Sequence, residues 1–283
     1  NYVHVYAVTS GLSRNVGVDL GARASMRDLS LPHPLLVVGD GVSPYDAGEV
    51  WHQLDHRMKM GVTLVRADRV GSVDLGDYTH VILVGGGMRS LGTSVQKKVQ
   101  DWVYAGGTLV ASRDSALLAS KMFGQSAVDF SAPDTQGSAP PRLSYSVKGQ
   151  KDAEQVVGGA IFESNLDISH PLSFGYTRPE ISTHKNTSFT LPVPNDPYAR
   201  VAVYSDEPLQ SGYASPERIA EFSGTPMLTA ERRGQGSLIL FADDVNFRAT
   251  YAGAEKLFMN ALFFSKAFDR SFAQTQEAAA VEE

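Results

Sequence analysis

Apolar residues in this chain come in short bursts, separated by glycines and by spans of helical periodicity. Val81 to Val84 is a largely β-branched run too short for a helix, and Gly85-Gly86-Gly87 ends it. Such a run fits a strand buried on both faces of a parallel sheet. From Ser94 to Ala105 the apolar positions Val95, Val99, Trp102 and Val103 form one helical stripe, stopped by Gly106-Gly107. Thr108 to Ala111 reads as a second buried strand, and a tight turn at Ser112–Ser115 leads into an apolar helix, Ala116–Phe123. Strand, helix, strand, helix with short joints predicts parallel strands and right-handed crossovers. Ligands of such sheets sit beyond the carboxyl ends of the strands, here at Gly85–Gly87 and Ser112–Ser115.

The rest of the chain supplies further elements of the same kind. Tyr2 to Val8 alternates loosely and could be a strand, and Pro34–Val38 is a core strand closed by Gly39-Asp40-Gly41. Asp46, or Ser43, caps a helix predicted to run to about Met58, with Val50, Trp51, Leu54 and Met58 inward. Val62–Val65 is the next strand. Gly124 to Gln155 dissolves into Ser, Pro, Gly and Gln, a surface excursion. Short strand-like runs follow at Gly159–Glu163, Ser188–Val193, Val201–Tyr204 and Met227–Glu231. Gly236–Ala242 is a strong buried strand ending in Asp243-Asp244, and a helix spans Ala252–Phe268.

Composition narrows the chemistry. A net charge of −6 without a basic stripe argues against a nucleic-acid partner. No cysteine is present, which removes thiol nucleophiles, disulfides and Cys-bound zinc. No apolar run approaches the roughly 20 residues of a membrane helix. The chain begins at Asn1 rather than Met, and we expect a piece of a longer polypeptide or a processed product.

Candidate residues each carry two readings. Ser112 or Ser115 could be a hydroxyl nucleophile on a strained turn, or could cap and pack the helix that follows. His52 and His56 lie one helical turn apart, a spacing that can bind zinc, on a helix that otherwise packs the core. His170 lies in an Asp-x-x-His-Pro turn where Asp167 can orient its ring. Asp243, Asp244, Asn246 and Arg248 gather after the last strand, where they could bind a polar ligand or a cation, or cap the next helix.

Several stretches resemble a known family. They are Val38-Gly-Asp-Gly-Val-Ser-Pro-Tyr-Asp-Ala-Gly-Glu-Val-Trp-His52, Gly159-Ala-Ile-Phe-Glu163, Asp167-Ile-Ser-His-Pro-Leu-Ser-Phe-Gly-Tyr176, Ser211-Gly-Tyr213, Ala230–Ala242, Asn246-Phe-Arg248 and Lys256–Asn260. Together they are similar to the carboxy-terminal domain of bacterial zinc carboxypeptidases of the carboxypeptidase A-like superfamily. The resemblance implies an α/β, flavodoxin-like three-layer sandwich with a mostly parallel sheet, like class I glutamine amidotransferases, with extra β-rich insertions. It implies a connecting arm at 1–31, the amidotransferase-like domain at 32–268 and a loose tail at 269–283. It also implies a periplasmic or extracellular setting and an upstream catalytic domain as partner.

The departures from the amidotransferase pattern set the functional expectation. The Gly-x-Cys-x-Gly elbow is replaced by Ala111-Ser-Arg-Asp-Ser115, with Arg113 at the nucleophile position, and the His-x-Glu pair falls on Ala242 and Asp244. Glutaminase chemistry needs an activated thiolate. Gly85-Gly86-Gly87 sits where amidotransferases place oxyanion-hole amides, or is a plain strand-end turn. The zinc carboxypeptidase signature, His-x-x-Glu with a distant His, is absent, so zinc is expected only in the parent's upstream domain. The expectation is a non-catalytic accessory domain whose degenerate cleft (Asp40, Gly41, Gly85–Gly87, Arg113, Asp114, Asp243, Asp244, Asn246, Arg248) packs on its partner or holds a peptide or sugar. The alternatives are a serine-type hydrolase pairing Ser115 with His170 or His184, and a small-molecule binding module.

Overall fold

The computed structural model describes residues 7, 10–12, 29–125 and 142–269. The expected strand at 2–8 apart from Ala7, most of the arm at 1–31, the middle of the Gly124–Gln155 excursion and the tail beyond Asp269 lie outside the described residues.

In chain order the elements are β1 (Pro34–Val38), α1 (Pro44–Trp51), β2 (Thr63–Arg66), β3 (His80–Leu83), α2 (Gly87–Ser90), α3 (Thr93–Tyr104), β4 (Thr108–Ser112) and α4 (Asp114–Met122). Then come α5 (Lys148–Glu154), β5 (Ala160–Leu166), β6 (Glu180–Lys185), β7 (Arg200–Ser211), α6 (Pro216–Phe222), β8 (Pro226–Arg233), β9 (Gly236–Phe241) and α7 (Ala252–Phe263). Among the described residues the nine strands join one sheet in the order β2-β1-β3-β4-β9-β8-β7-β5-β6.

The sheet changes character at β9. From β2 to β9 every pair is parallel, in the 2-1-3-4-5 order of flavodoxin-like folds with β9 in the fifth place. From β9 to β6 every pair is antiparallel. The sheet is therefore mixed, which corrects the expected mostly parallel one, and the expected β-rich insertions are its second half. Burial explains the division. β3 and β9 are buried at every position, as strands covered on both faces must be. β5 alternates between buried and more exposed positions, the mark of a one-sided antiparallel strand. A single hydrophobic cluster nonetheless runs through both halves, from Leu35 and Val110 to Phe162 and Val201.

Several expectations shift. Ser43 is the N-cap of α1, and Asp46 sits at the reciprocal position: the Ser43 hydroxyl donates to Asp46 Oδ1 at 2.6 Å. The helix then widens into a π-turn over His52–Arg57, so Val50 and Leu54 stay buried while Trp51 and Met58 turn outward. Ser188–Val193 forms no strand, although Phe189 and Leu191 are buried; Pro192 lacks the N–H a ladder needs. β6 and α6 were not expected. The helix predicted to Phe268 ends at Phe263. Among the described residues no helix is long and apolar enough to cross a membrane.

Candidate functional site

The carboxyl ends of β1, β3, β4 and β9 meet at a shallow cleft lined by Gly41, Ser43, Gly85, Gly86, Arg113, Asp114 and Thr187. Its floor is the turn from β4 into α4. Arg113 holds φ 57° and ψ −135° there, a left-handed backbone that costs a non-glycine residue about 1–3 kcal/mol. Its N–H donates to Phe241 O at 3.0 Å, so the elbow is pinned to the end of β9. A nucleophile belongs at such an elbow. Here the arginine folds back, and its Nη1 donates to Asp46 Oδ2 at 2.6 Å in a pair that is mostly buried.

The glycine loop after β3 is shaped by close approach. A Cβ on Gly86 would lie 2.0 Å from Gly41 O, and Gly86 has φ +76°. One on Gly85 would strike Asp46 Oδ2 at 2.5 Å. An oxyanion hole would need the loop amides free, but the first two each meet a carboxylate and the Gly87 N–H donates to Val84 O at 2.8 Å. Gly85 N–H donates to Asp46 Oδ2 at 3.3 Å and Gly86 N–H to Asp114 Oδ1 at 2.9 Å. Asp114 also lies 3.5 Å from Arg89 Nη2. Stabilising an oxyanion requires donors left free for the developing charge; these are already satisfied.

Asp46 belongs to a second group at the same end of the sheet. Carboxylate oxygens of Asp46, Glu49 and Asp244 lie within 4.8 Å of one another. Glu49 accepts the Arg248 N–H at 2.8 Å, and Asp244 accepts the Asn246 N–H at 3.2 Å. Burial, then the Glu49 and Asp46 charges, push the Asp244 carboxyl up to about 8; burial first also raises Glu49. Beside the cluster lies a small internal cavity lined by Asp46, Ser112, Asp244 and Asn246 among apolar side chains.

The remaining candidates scatter. Ser115 is fully buried; its hydroxyl donates to Val84 O at 2.6 Å and accepts the Met88 N–H at 2.9 Å. His170 caps a short turn, its Nδ1 accepting the Leu172 N–H at 3.1 Å, and its ring lies against Phe268 in the antiparallel half. Burial pushes it down to about 4. His184 stacks on Phe247 with centroids 3.5 Å apart, and its carbonyl accepts the Asp244 N–H. His52 and His56 pack ring against ring at 4.9 Å. Gly87 opens α2 and is buried. Asp40 points out and pairs with Arg66 at 3.2 Å. Arg248 is exposed, over the Phe247 ring.

Asp243 leaves the cleft altogether. It is fully buried, accepting from Thr183 Oγ1 at 2.6 Å and Tyr204 OH at 2.5 Å, with Lys185 Nζ at 3.2 Å. Lys185 is equally buried and lies 4.4 Å from the Phe222 ring centroid. Burial lowers its ammonium pKa against the opposing pull of Asp243, and raises the Tyr204 phenol. Sequence reasoning missed Glu49, one helical turn beyond Asp46, and Lys185. The first was detectable from spacing; the second sits in a polar stretch that reads as loop.

No family profile matches the chain, and no curated protein sequence does. Solved structures do. A ThuA-like protein from Parabacteroides merdae is 14% identical with a TM-score of 0.54, over 86% of this chain and 92% of that one. PurLQS from Thermotoga maritima gives 12% and 0.52, over 84% and 100%. A GMP synthase component from Thermoplasma acidophilum gives 13% and 0.50, over 89% and 99%. The likeness is one of fold: flavodoxin-like and class I glutamine amidotransferase-like. None of the three is a zinc carboxypeptidase.

Proposed function

We propose that this chain is a non-catalytic amidotransferase-like domain that serves a larger polypeptide of the zinc carboxypeptidase type, by packing on its catalytic domain or by holding a peptide or sugar ligand in the cleft. The observation that carries the non-catalytic reading is the elbow. It keeps a strained backbone at Arg113, yet presents a guanidinium tied to Asp46. A guanidinium stays protonated and cannot attack a carbonyl. The two amides that could stabilise an oxyanion bind Asp46 and Asp114 instead. The serine-hydrolase alternative loses support because the Ser115 hydroxyl donates to a main-chain carbonyl rather than to a histidine. The parentage rests on the motif resemblance alone.

Two measurements test the reading. The isolated chain is expected neither to hydrolyse glutamine nor to be labelled by a serine-directed phosphonate, and either activity would refute the non-catalytic role. Deleting residues 32–268 from the full-length polypeptide is expected to lower its melting temperature or change its peptide preference. An unaltered parent would count against the accessory role.

A further inference from the structure

From the group at the carboxyl ends of β1 and β9, we infer a binding site for one hard divalent cation, calcium by size, held by Asp46, Glu49, Asp244 and Asn246. The inference does not depend on the accessory-domain reading.

The geometry comes first. The three carboxylate oxygens lie within 4.8 Å of one another. At calcium–oxygen distances of about 2.3–2.6 Å, opposed ligands stand roughly 4.6–5.2 Å apart, so one ion can touch all three. Two segments contribute: Asp46 and Glu49 are one turn apart on α1, and Asp244 and Asn246 both lie on the loop from β9 toward α7.

An independent observation points the same way. Asn246 is only 6% exposed, lines the same small cavity as Asp46 and Asp244, and its side-chain Oδ1 has no hydrogen-bond partner. A buried carbonyl oxygen without a donor costs roughly 1–3 kcal/mol. Glu49 Oε2 is buried and equally without a donor. The site therefore gathers more oxygens than donors. One water could donate only two hydrogens among them; a cation satisfies all at once. Oxygen-only donors, without sulfur or imidazole, select calcium or magnesium rather than zinc.

The charged neighbours set the affinity. Arg113 already neutralises part of Asp46 at 2.6 Å, while the Arg248 contact to Glu49 is through its main-chain N–H. With one competing guanidinium, the site belongs in the weak class of calcium sites, with Kd on the order of 10⁻⁴–10⁻³ M. A bound ion would tie α1 to the β9–α7 loop, where Arg248 and Ala249 both hold positive φ.

The test is thermal denaturation of chelator-treated protein titrated with calcium, magnesium and manganese, with equilibrium dialysis counting bound calcium. Calcium in about hundredfold excess over Kd is expected to raise Tm by roughly 5 °C or more, with one ion per chain. Glu49→Gln, at a half-buried position that tolerates the amide, should weaken the shift at least severalfold while keeping the far-UV spectrum. Arg113→Gln removes the competing charge and should tighten binding by about tenfold. No shift and no bound ion at millimolar concentrations of any of the three metals, in both wild type and Arg113→Gln, would overturn the site. So would a calcium shift undiminished in Glu49→Gln.

Discussion

Asp243 and Asp244 are neighbours in sequence and live in opposite surroundings. Asp243 turns into the antiparallel half of the sheet, where Lys185, Tyr204 and Thr183 meet its two oxygens at full burial. Asp244 turns toward the parallel half and meets Glu49 and Asp46, a group in which one guanidinium serves three carboxylates. A strand end alternates its side chains between faces, so one dipeptide can serve both. The difference separates a structural charge from a binding charge. A buried ion survives where its partners are complete; where they are incomplete, the site is arranged for something else to complete it. The parallel half thus carries the unfinished chemistry of this molecule, and the antiparallel half the finished kind.

The largest expected effect comes from unpairing the finished network. Asp243→Asn leaves the fully buried Lys185 ammonium without its counter-charge and should destabilise the fold by about 3–5 kcal/mol, read from urea denaturation at neutral pH. A loss below about 1 kcal/mol would mean that the network is wet and the contrast with Asp244 false.

Acid should come next. His80 opens β3, buried between Thr79 Oγ1 at 2.8 Å and Ser265 Oγ at 3.0 Å. Burial, with Lys266 nearby, pushes its imidazole down to about 3 from an ordinary 6.5. Because the folded value is depressed, its contribution is complete above about pH 6.5 and is lost as pH falls toward 3. By about pH 4 the loss should approach 3 kcal/mol. His170, pushed down to about 4, steepens the same limb. Replacing His80 with Gln should flatten the limb between pH 6 and 4 in denaturation midpoints; an unchanged slope would place the acid sensitivity elsewhere.

A smaller effect belongs to Ser115→Ala. Its hydroxyl bridges Val84 O and the Met88 N–H beneath the glycine loop, so removal should cost about 1–2 kcal/mol. Phosphonate labelling should be nil before and after. Labelling that disappears with the substitution would restore Ser115 as a nucleophile and give the parallel half a working active site.

The parallel half was largely legible because its cues are local. Val81–Val84 before three glycines, the stripe from Val95 to Val103, and the run Gly236–Ala242 each name a buried strand or a helix without reference to the rest of the chain. The cleft position followed from topology alone, and Arg113 at the elbow from motif alignment. The antiparallel half was legible only in fragments. β6 reads Glu180-Ile-Ser-Thr-His-Lys185, and a charged lysine argues for surface until its partners Asp243 and Tyr204, distant in sequence, are known. Ser188–Val193 shows the converse: an apolar run is buried without being a strand. At the site, the cap of α1 falls on Ser43 rather than Asp46, and the role of Asp46 as acceptor for Arg113 and Gly85 was not legible, since it depends on packing between α1 and the elbow.

The smallest effect is the most discriminating. In chelator, Asp244→Asn should be neutral or stabilising by up to about 1 kcal/mol, opposite in sign to Asp243→Asn one residue away. Burial and the Glu49 and Asp46 charges push the Asp244 carboxyl up to about 8, so near neutral pH it keeps its proton, and a neutral amide there removes no charge the fold relies on. An amide keeps the side-chain shape, retains an oxygen for the Asn246 N–H, and offers Glu49 an N–H in place of the acid's proton. The group around Asp244 should therefore tolerate, or gain from, the change that the dry network cannot survive. Paired urea denaturations of the two variants decide it. Equal destabilisation of both would show that the group around Asp244 is as complete as that around Asp243, and that no charge at this end of the sheet awaits a partner.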